Sequence, residues 1–363
     1  MILGQRLLKI QRFDSAAEIY EAVGYFEKAI ESYLMCQKFD RAMECARQVR
    51  PMEMQNMLVN KIQEQRKSML IQGGKFNKIV ESGDMSGLEM LCQRGQWEEC
   101  LQLAEKQGAD VLNTYLMKFS KTYLQKGQFK ETARVLVRFG CPAIQQILPV
   151  YKTISVEVLA MDNAVELAVL KDMLMRLCEN LEQQVERNNP IFVEFNRYLM
   201  ITHLLTMKGE CSKHGLTQVQ AKLTASLLRY TKEIRADKAY FDAGQACRKA
   251  GLNDSAFIFF NRYIDLYDAI DDPDNAGGID NTEFENTDIP SPFEIPLPEK
   301  NIIRPDERDQ IRDWVLEINM DGSVGQSLPQ RRCEHCGAEM YECSLPCNNC
   351  MNAWEPCVIT GLP

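Results

Sequence analysis

Phe13-Asp14-Ser15-Ala16, Phe26-Glu27-Lys28-Ala29 and Phe39-Asp40-Arg41-Ala42 follow one another at thirteen-residue intervals. Four positions after each final alanine stand Tyr20, Tyr33 and Ala46. Apolar residues at i, i+3 and i+7 share one face of an α-helix. Gly24 and Lys38 fall in the gaps, where short turns are expected to reverse the chain. Each unit therefore reads as one short helix, and two units as a hairpin. The ring at the helix start is expected to fill the groove between neighbours, while alanine allows close approach. No such unit can bury its apolar face alone, so the units must stack.

Fainter echoes extend the pattern. Gly95-Gln96-Trp97-Glu98-Glu99 recurs thirty-two residues on as Gly127-Gln128-Phe129-Lys130-Glu131. Another echo starts at Phe241-Asp242-Ala243 and runs through Ala246 and Ala250 to Gly251, and an apolar helix is expected from Ser255 to Tyr267. The predicted fold is all-α: a TPR-like α-solenoid of short helical hairpins over residues 1–270, ahead of a small Cys-rich zinc-binding module. A globular helical bundle is the competing architecture.

The pattern breaks after Asp268. Residues 271–300 hold nine acidic residues, one lysine, five prolines and the Gly277-Gly278 pair. Their composition reads as an extended acidic, Pro-rich linker, too polar to bury a core. Within it Pro292-Phe293-Glu294-Ile295-Pro296-Leu297-Pro298 could dock in extended form on a partner or on the helices. Residues 301–327 read as a short helical connector, with a helix expected after Pro305, and residues 328–363 as the terminal module.

Charge narrows the partners. The chain carries a formal −9, and the linker holds nearly all of it, which leaves the rest close to neutral. With no basic stripe to neutralise phosphates, nucleic acid is not an expected partner, nor is an anionic membrane surface. No run approaches the ~20 apolar residues that cross a bilayer, and residues 1–9 lack a secretory signal's pattern. The expectation is a soluble chain with no direct membrane insertion.

Of fourteen cysteines, eight are scattered among apolar neighbours: Cys36, Cys45, Cys92, Cys100, Cys141, Cys178, Cys211 and Cys247. They read as small buried hydrophobes. The other six crowd into the last 31 residues. There Cys333-Glu334-His335-Cys336 and Cys347-Asn348-Asn349-Cys350 form two C-x-x-C turns ten residues apart. Each turn aims two sulfurs at one metal, so the predicted ligands of a tetrahedral zinc site are Cys333, Cys336, Cys347 and Cys350. Gly337 suits the tight backbone of the first turn. The spacing C-x₂-C-x₆-C occurs twice, ending at Cys343 and Cys357, and these two are expected as buried thiols near the site. A cross-braced two-metal module needs about eight ligands, more than the segment offers even with His335, which is expected to be exposed.

Catalytic constellations are not evident. His203, His214 and His335 are the three histidines, and His203 reads as a core or edge residue of an apolar helix. Gly73-Gly74-Lys75 lacks the upstream glycine and the Ser/Thr of a phosphate loop. No catalytic residue is assigned.

The run from Phe13 to Gln48, the segment Arg312-Asp313-Trp314-Val315 and the tail Glu355-Pro356-Cys357-Val358-Ile359-Thr360-Gly361 together resemble the C-terminal part of the intraflagellar transport protein 172 family. These are large peripheral subunits of the complex-B train particle of cilia. The resemblance covers the whole chain and implies a fragment without the N-terminal β-propellers. It also implies a scaffold that binds other intraflagellar transport subunits in ciliary assembly and train turnaround. The implied location is the cilium (axoneme, basal body and tip) and the cytoplasm. The family's extreme C-terminus is similar to a U-box, whose opening Pro-Ile-Thr-Gly is matched by Val358-Ile359-Thr360-Gly361. That resemblance makes Ile359 the implied contact for a ubiquitin-conjugating enzyme. Val358 departs from the motif's proline, and the sequence stops at Pro363 before a U-box could close. The reading is therefore a non-enzymatic scaffold. Its alternatives are a RING/U-box-like ubiquitin ligase or ubiquitin-binding module, and a membrane-coat subunit.

Overall fold

A computed structural model describes residues 2–272, 278–322, 325 and 327–363. Two of the expected linker's breakers, Pro273 and Gly277, lie outside these residues. The chain divides into two compact units, residues 1–119 and 120–363. Among the described residues the regular structure is seventeen α-helices, short 3-10 turns and one two-stranded hairpin. The chain is thus all-α with a Cys-rich end. No helix among the described residues is long and apolar enough to cross a membrane.

In the first unit α1 spans Ile2–Lys9, and the next three helices begin on the repeated phenylalanines: α2 (Phe13–Ala22), α3 (Phe26–Met35) and α4 (Phe39–Ala46). Ala16, Ala17, Ala29, Ala42 and Ala46 are wholly buried, with Tyr20 and Tyr33 nearly so. Phe26 and Phe39 are only partly covered. The groove-filling ring is therefore the mid-helix tyrosine, while the phenylalanine in the first turn sits at the rim where solvent reaches. Tyr33 Oη donates to the Glu21 carboxylate at 2.6 Å, tying α3 to α2.

One turn recurs between these helices. Gly24 N–H donates to Glu21 O at 3.0 Å and Tyr25 N–H to Tyr20 O at 2.8 Å, the double bond of a Schellman motif. At the next reversal Gln37 N–H donates to Leu34 O and Lys38 N–H to Tyr33 O. There Gln37, at φ 63°, takes the left-handed position, and Lys38 is already the residue that opens α4. The unit continues with α5 (Met52–Gln72), α6 (Phe76–Glu81), α7 (Ser86–Gln93), α8 (Trp97–Gln107) and the first part of α9 (Ala109–Leu124), whose residues 120–124 belong to the second unit. Gly73 and Gly74 form the turn between α5 and α6.

The second unit contains α10 (Phe129–Arg138), α11 (Leu148–Met161), α12 (Ala164–Glu182), α13 (Pro190–Lys213), α14 (Thr217–Leu227), α15 (Ala236–Lys249), α16 (Asn253–Asp271) and α17 (Pro305–Asp321). Asn163 caps α12, its Oδ1 accepting from Val165 N at 3.0 Å. The main core is the α15–α16 pair. Ala239, Tyr240, Ala243 and Ala246 face Phe259, Phe260 and Tyr263. Gly244 makes the approach possible, because a Cβ there would stand 2.5 Å from the Phe260 ring. Trp314 of α17 meets Phe260 edge-on at 5.4 Å.

The acidic segment departs from the linker expectation in its described part. Two 3-10 turns, Thr282–Phe284 and Pro292–Glu294, carry it along the helices. Phe284, Ile289 and Ile295 are buried in the α15–α16 core. Arg262, almost wholly buried, donates to Asp280 O at 2.7 Å and lies 4.5 Å from the Phe284 ring. Three well-spaced apolar anchors suffice to dock a polar strap, because Glu285, Asn286 and Glu294 between them stay in water and Asp288 pairs with Arg229. Phe293, by contrast, is 87% exposed.

Candidate metal centre

The terminal segment begins with an antiparallel hairpin, β1 (Gln330–Arg332) against β2 (Glu339–Tyr341), in which Arg331 faces Met340. Its tip is the first knuckle. Gly337 N–H donates to Cys333 O and Cys333 N–H to Ala338 O, both at 2.9 Å. Gly337 stands at φ 75°, a conformation that glycine takes without steric cost. The second knuckle repeats the pattern. Met351 N–H donates to Cys347 O and Cys347 N–H to Asn352 O, both at 2.8 Å, with Met351 at φ 57°.

These turns bring the sulfurs of Cys333, Cys336, Cys347 and Cys350 within 4.8 Å of one another. The pairs between knuckles, Cys333–Cys350 and Cys336–Cys347, are 3.8 and 3.7 Å apart. A tetrahedron with metal–sulfur bonds of about 2.3 Å places its sulfurs about 3.8 Å apart. The four thiols therefore fit one tetrahedral metal ion. Trp354 packs on the buried side of the cluster against Cys333, Met340 and Cys347, and the Arg331 guanidinium lies 4.4 Å from its ring. Cys336 and Cys350 are exposed.

The thiols' electrostatics favour a cation. The Asn349 side chain and then the Ala338 N–H pull Cys336 down to about 6. The backbone N–H groups of Cys350 and Asn349 also lower Cys347. The Asn352 N–H acts to lower Cys350, but burial and the other three sulfurs outweigh it and hold Cys350 at about 11. Four thiolates cannot gather at this distance without a compensating positive charge.

The other two terminal cysteines do not flank the cluster as a buried pair. Cys343 is buried in the α15–α16 core, and burial pushes it up to about 11. Cys357 is exposed and opens a third knuckle that the sequence reading missed. Gly361 N–H donates to Cys357 O at 2.8 Å and Cys357 N–H to Leu362 O at 2.6 Å, with Gly361 at φ 70°. Thr360 occupies the place of the second cysteine. Its hydroxyl and backbone N–H, with the Ile359 N–H, hold the Cys357 thiol below its ordinary range. The signal was in the sequence: Gly361 follows Thr360 as Gly337 follows Cys336.

The third knuckle is seated on the helices. Gly361 lies where a Cβ would come 2.8 Å from Ser226 Cβ. Val358 O is 2.6 Å from His203 Nε2, which gives that histidine a role as an edge contact. Arg229 Nη1 donates to Gly361 O at 2.6 Å, and its Nη2 donates to Cys343 O. Ile359 remains half exposed, at 52%. His335 is exposed, its ring 5.9 Å from Trp354. Among the scattered cysteines, Cys36 and Cys92 are only partly buried, and the other six are buried.

No protein-family model matches the chain. It is similar along its whole length to proteins named intraflagellar transport protein 172. The zebrafish (Danio rerio) homolog is 33% identical over 369 residues, covering 100% of this chain and 20% of the relative. The human (Homo sapiens) homolog is 32% identical over 370 residues, again 100% of this chain and 20% of the relative. The Chlamydomonas reinhardtii protein is 32% identical over 378 residues, 99% of this chain and 21% of the relative. The chain spans about a fifth of the length of the curated relatives it matches.

Proposed function

Because the whole chain is homologous to a segment of intraflagellar transport protein 172, we propose that it serves intraflagellar transport in the cilium as a scaffold. The single observation that carries this reading is similarity that covers the chain from the helical repeats through the Cys-rich end. The helices offer surface for other transport subunits of complex B. A fluorescent tag on the full-length protein should move along cilia in both directions and co-purify with other transport subunits. Failure to enter cilia would sink the proposal.

Zinc is the metal proposed for the four-cysteine cluster. A tetrahedral set of four thiolates suits zinc or iron. Bound metal would supply the positive charge the four sulfurs require and cross-link the two knuckles. Elemental analysis of the purified protein should find one zinc per chain. One iron per chain, with visible thiolate-to-iron absorption, would replace zinc in this reading.

A second reading, that of a ubiquitin-ligase or ubiquitin-binding module, is favoured by one observation. Ile359 sits half exposed on a closed turn, where a ubiquitin-conjugating enzyme could reach it. An autoubiquitination assay on the full-length protein, wild type against Ile359→Ala, tests it. Absence of ubiquitin transfer by the wild type would remove the reading.

A further inference from the structure

The hairpin of α7 and α8 holds a second cluster of thiols, away from the metal centre. Cys92 is the penultimate residue of α7, and Cys100 lies in the first turn of α8. The intervening turn is the same double-bonded reversal seen elsewhere: Gly95 N–H donates to Cys92 O at 3.0 Å and Gln96 N–H to Leu91 O at 2.9 Å. It places the two sulfurs 3.4 Å apart.

The two thiols are not equivalent. Cys100 is wholly buried, with its sulfur also 3.6 Å from Leu88 O. Cys92 is only partly buried. A hydrogen bond from Cys100 lowers Cys92 against the opposing effect of burial, and the Lys118 ammonium helps while Glu89 resists. The same hydrogen bond, followed by burial, raises Cys100. Cys92 is therefore the thiol that ionises first and meets solvent, and Cys100 is its protonated neighbour.

We propose that Cys92 and Cys100 form a redox-active dithiol site that closes to a disulfide on meeting a small-molecule disulfide such as oxidised glutathione. The Cys92 thiolate attacks one sulfur of oxidised glutathione. A Cys92–glutathione bond forms, the glutathione S–S bond breaks, and a glutathione thiolate leaves to take a proton from water. Cys100 then gives its proton to solvent and attacks Cys92 Sγ. The Cys92–Cys100 bond forms, the mixed disulfide breaks, and the second glutathione departs. Two protein thiols are oxidised and one glutathione disulfide is reduced to two thiols. Closure brings the sulfurs from 3.4 Å to about 2.05 Å, a movement that side-chain rotation on this hairpin can supply. In a reducing compartment such a bond is transient, and that marks it as a sensor rather than a staple.

The test uses the folded, zinc-loaded protein in graded glutathione buffers, followed by acid quenching, alkylation and peptide mass mapping. The expected product is a Cys92–Cys100 cross-link, lighter by two hydrogens than the reduced peptides. Cys100→Ser should stop at the mixed disulfide on Cys92, whereas Cys92→Ser should leave Cys100 unmodified. If either variant misfolds by circular dichroism, wild-type alkylation rates decide, with Cys92 expected roughly tenfold faster than Cys100. A cross-link that appears only in denaturant, or equal reaction of the two thiols in the fold, would overturn the proposal.

Discussion

Arg229 is 6% exposed, and its guanidinium Nε lies 3.2 Å from Asp288 Oδ2. The same carboxylate oxygen accepts from Leu345 N at 3.0 Å, and Ser344 Oγ accepts from Asp288 N at 3.2 Å. With the bonds from Arg229 to Cys343 O and Gly361 O, one buried cation joins the helices, the acidic strap and the Cys-rich end. Arg229→Met should therefore cost about 3–5 kcal/mol, because it strands a buried carboxylate. Chemical denaturation measures the loss. Pairing it with Asp288→Ala should cost less than the sum of the two single changes.

Gly244→Ala should destabilise the second unit by about 1–3 kcal/mol through overpacking. The added methyl would stand 2.5 Å from Phe260 Cδ1 and Cε1. Phe260→Leu in the same chain should recover part of the loss, as read from thermal unfolding. If Gly244→Ala unfolds like wild type, α15 and α16 do not approach as closely as described.

The first unit should show a carboxylate-dependent stability at acid pH. Asp84 is held down at about 2, first by its bond from Lys67 at 2.7 Å and then by the Ser86 N–H. A depressed carboxylate stabilises the fold above its unfolded value of 3.8, and that contribution disappears as pH falls toward 2. The side chain is 39% exposed, so solvent screening keeps the effect to at most about 1 kcal/mol. Asp84→Asn should lower stability by that amount at pH 7 and by only a small part of it at pH 2. Urea titrations at the two pH values provide the comparison.

Chelation should act locally at first. Stripping the metal, or making Cys347→Ser, should speed amide exchange across residues 333–354. The turn at residues 357–362 contributes no sulfur to the four-cysteine cluster and should keep its protection. The helices should lose part of their stability rather than none, since Tyr341 and Cys343 belong to the α15–α16 core. Uniform exchange across the whole terminal segment would contradict this order.

Local periodicity made much of the architecture legible. The phenylalanine repeat marks the starts of α2, α3 and α4 to the residue, because the same turn recurs at fixed spacing. The four-sulfur set follows from two C-x-x-C turns, since knuckle geometry depends on only a few consecutive residues. Arg229 was not legible. Its partners Asp288, Cys343 and Gly361 lie 59, 114 and 132 residues away, and no local pattern announces such a convergence. Docking of the strap was legible only at residues 292–298, where Ile295 is buried, because average composition hides Phe284 and Ile289 among polar residues. The third knuckle is invisible to a pattern of paired sulfurs, because its backbone bonds need only a glycine in the right place.

That third turn closes around a single thiol and a hydroxyl, a pair from outside the four-cysteine cluster. Backbone hydrogen bonds, braced by Arg229 at Gly361 O and His203 at Val358 O, hold that shape, and the two sulfur-bearing turns share the backbone bonds. An ion arriving between the two sulfur-bearing turns restores bonds that each turn can make from a few consecutive residues, so uptake should tighten residues 333–354 without a search through the rest of the chain. Loss and recapture of metal become a reversible loosening and tightening of these turns, open to competition among whatever thiophilic ions the compartment supplies.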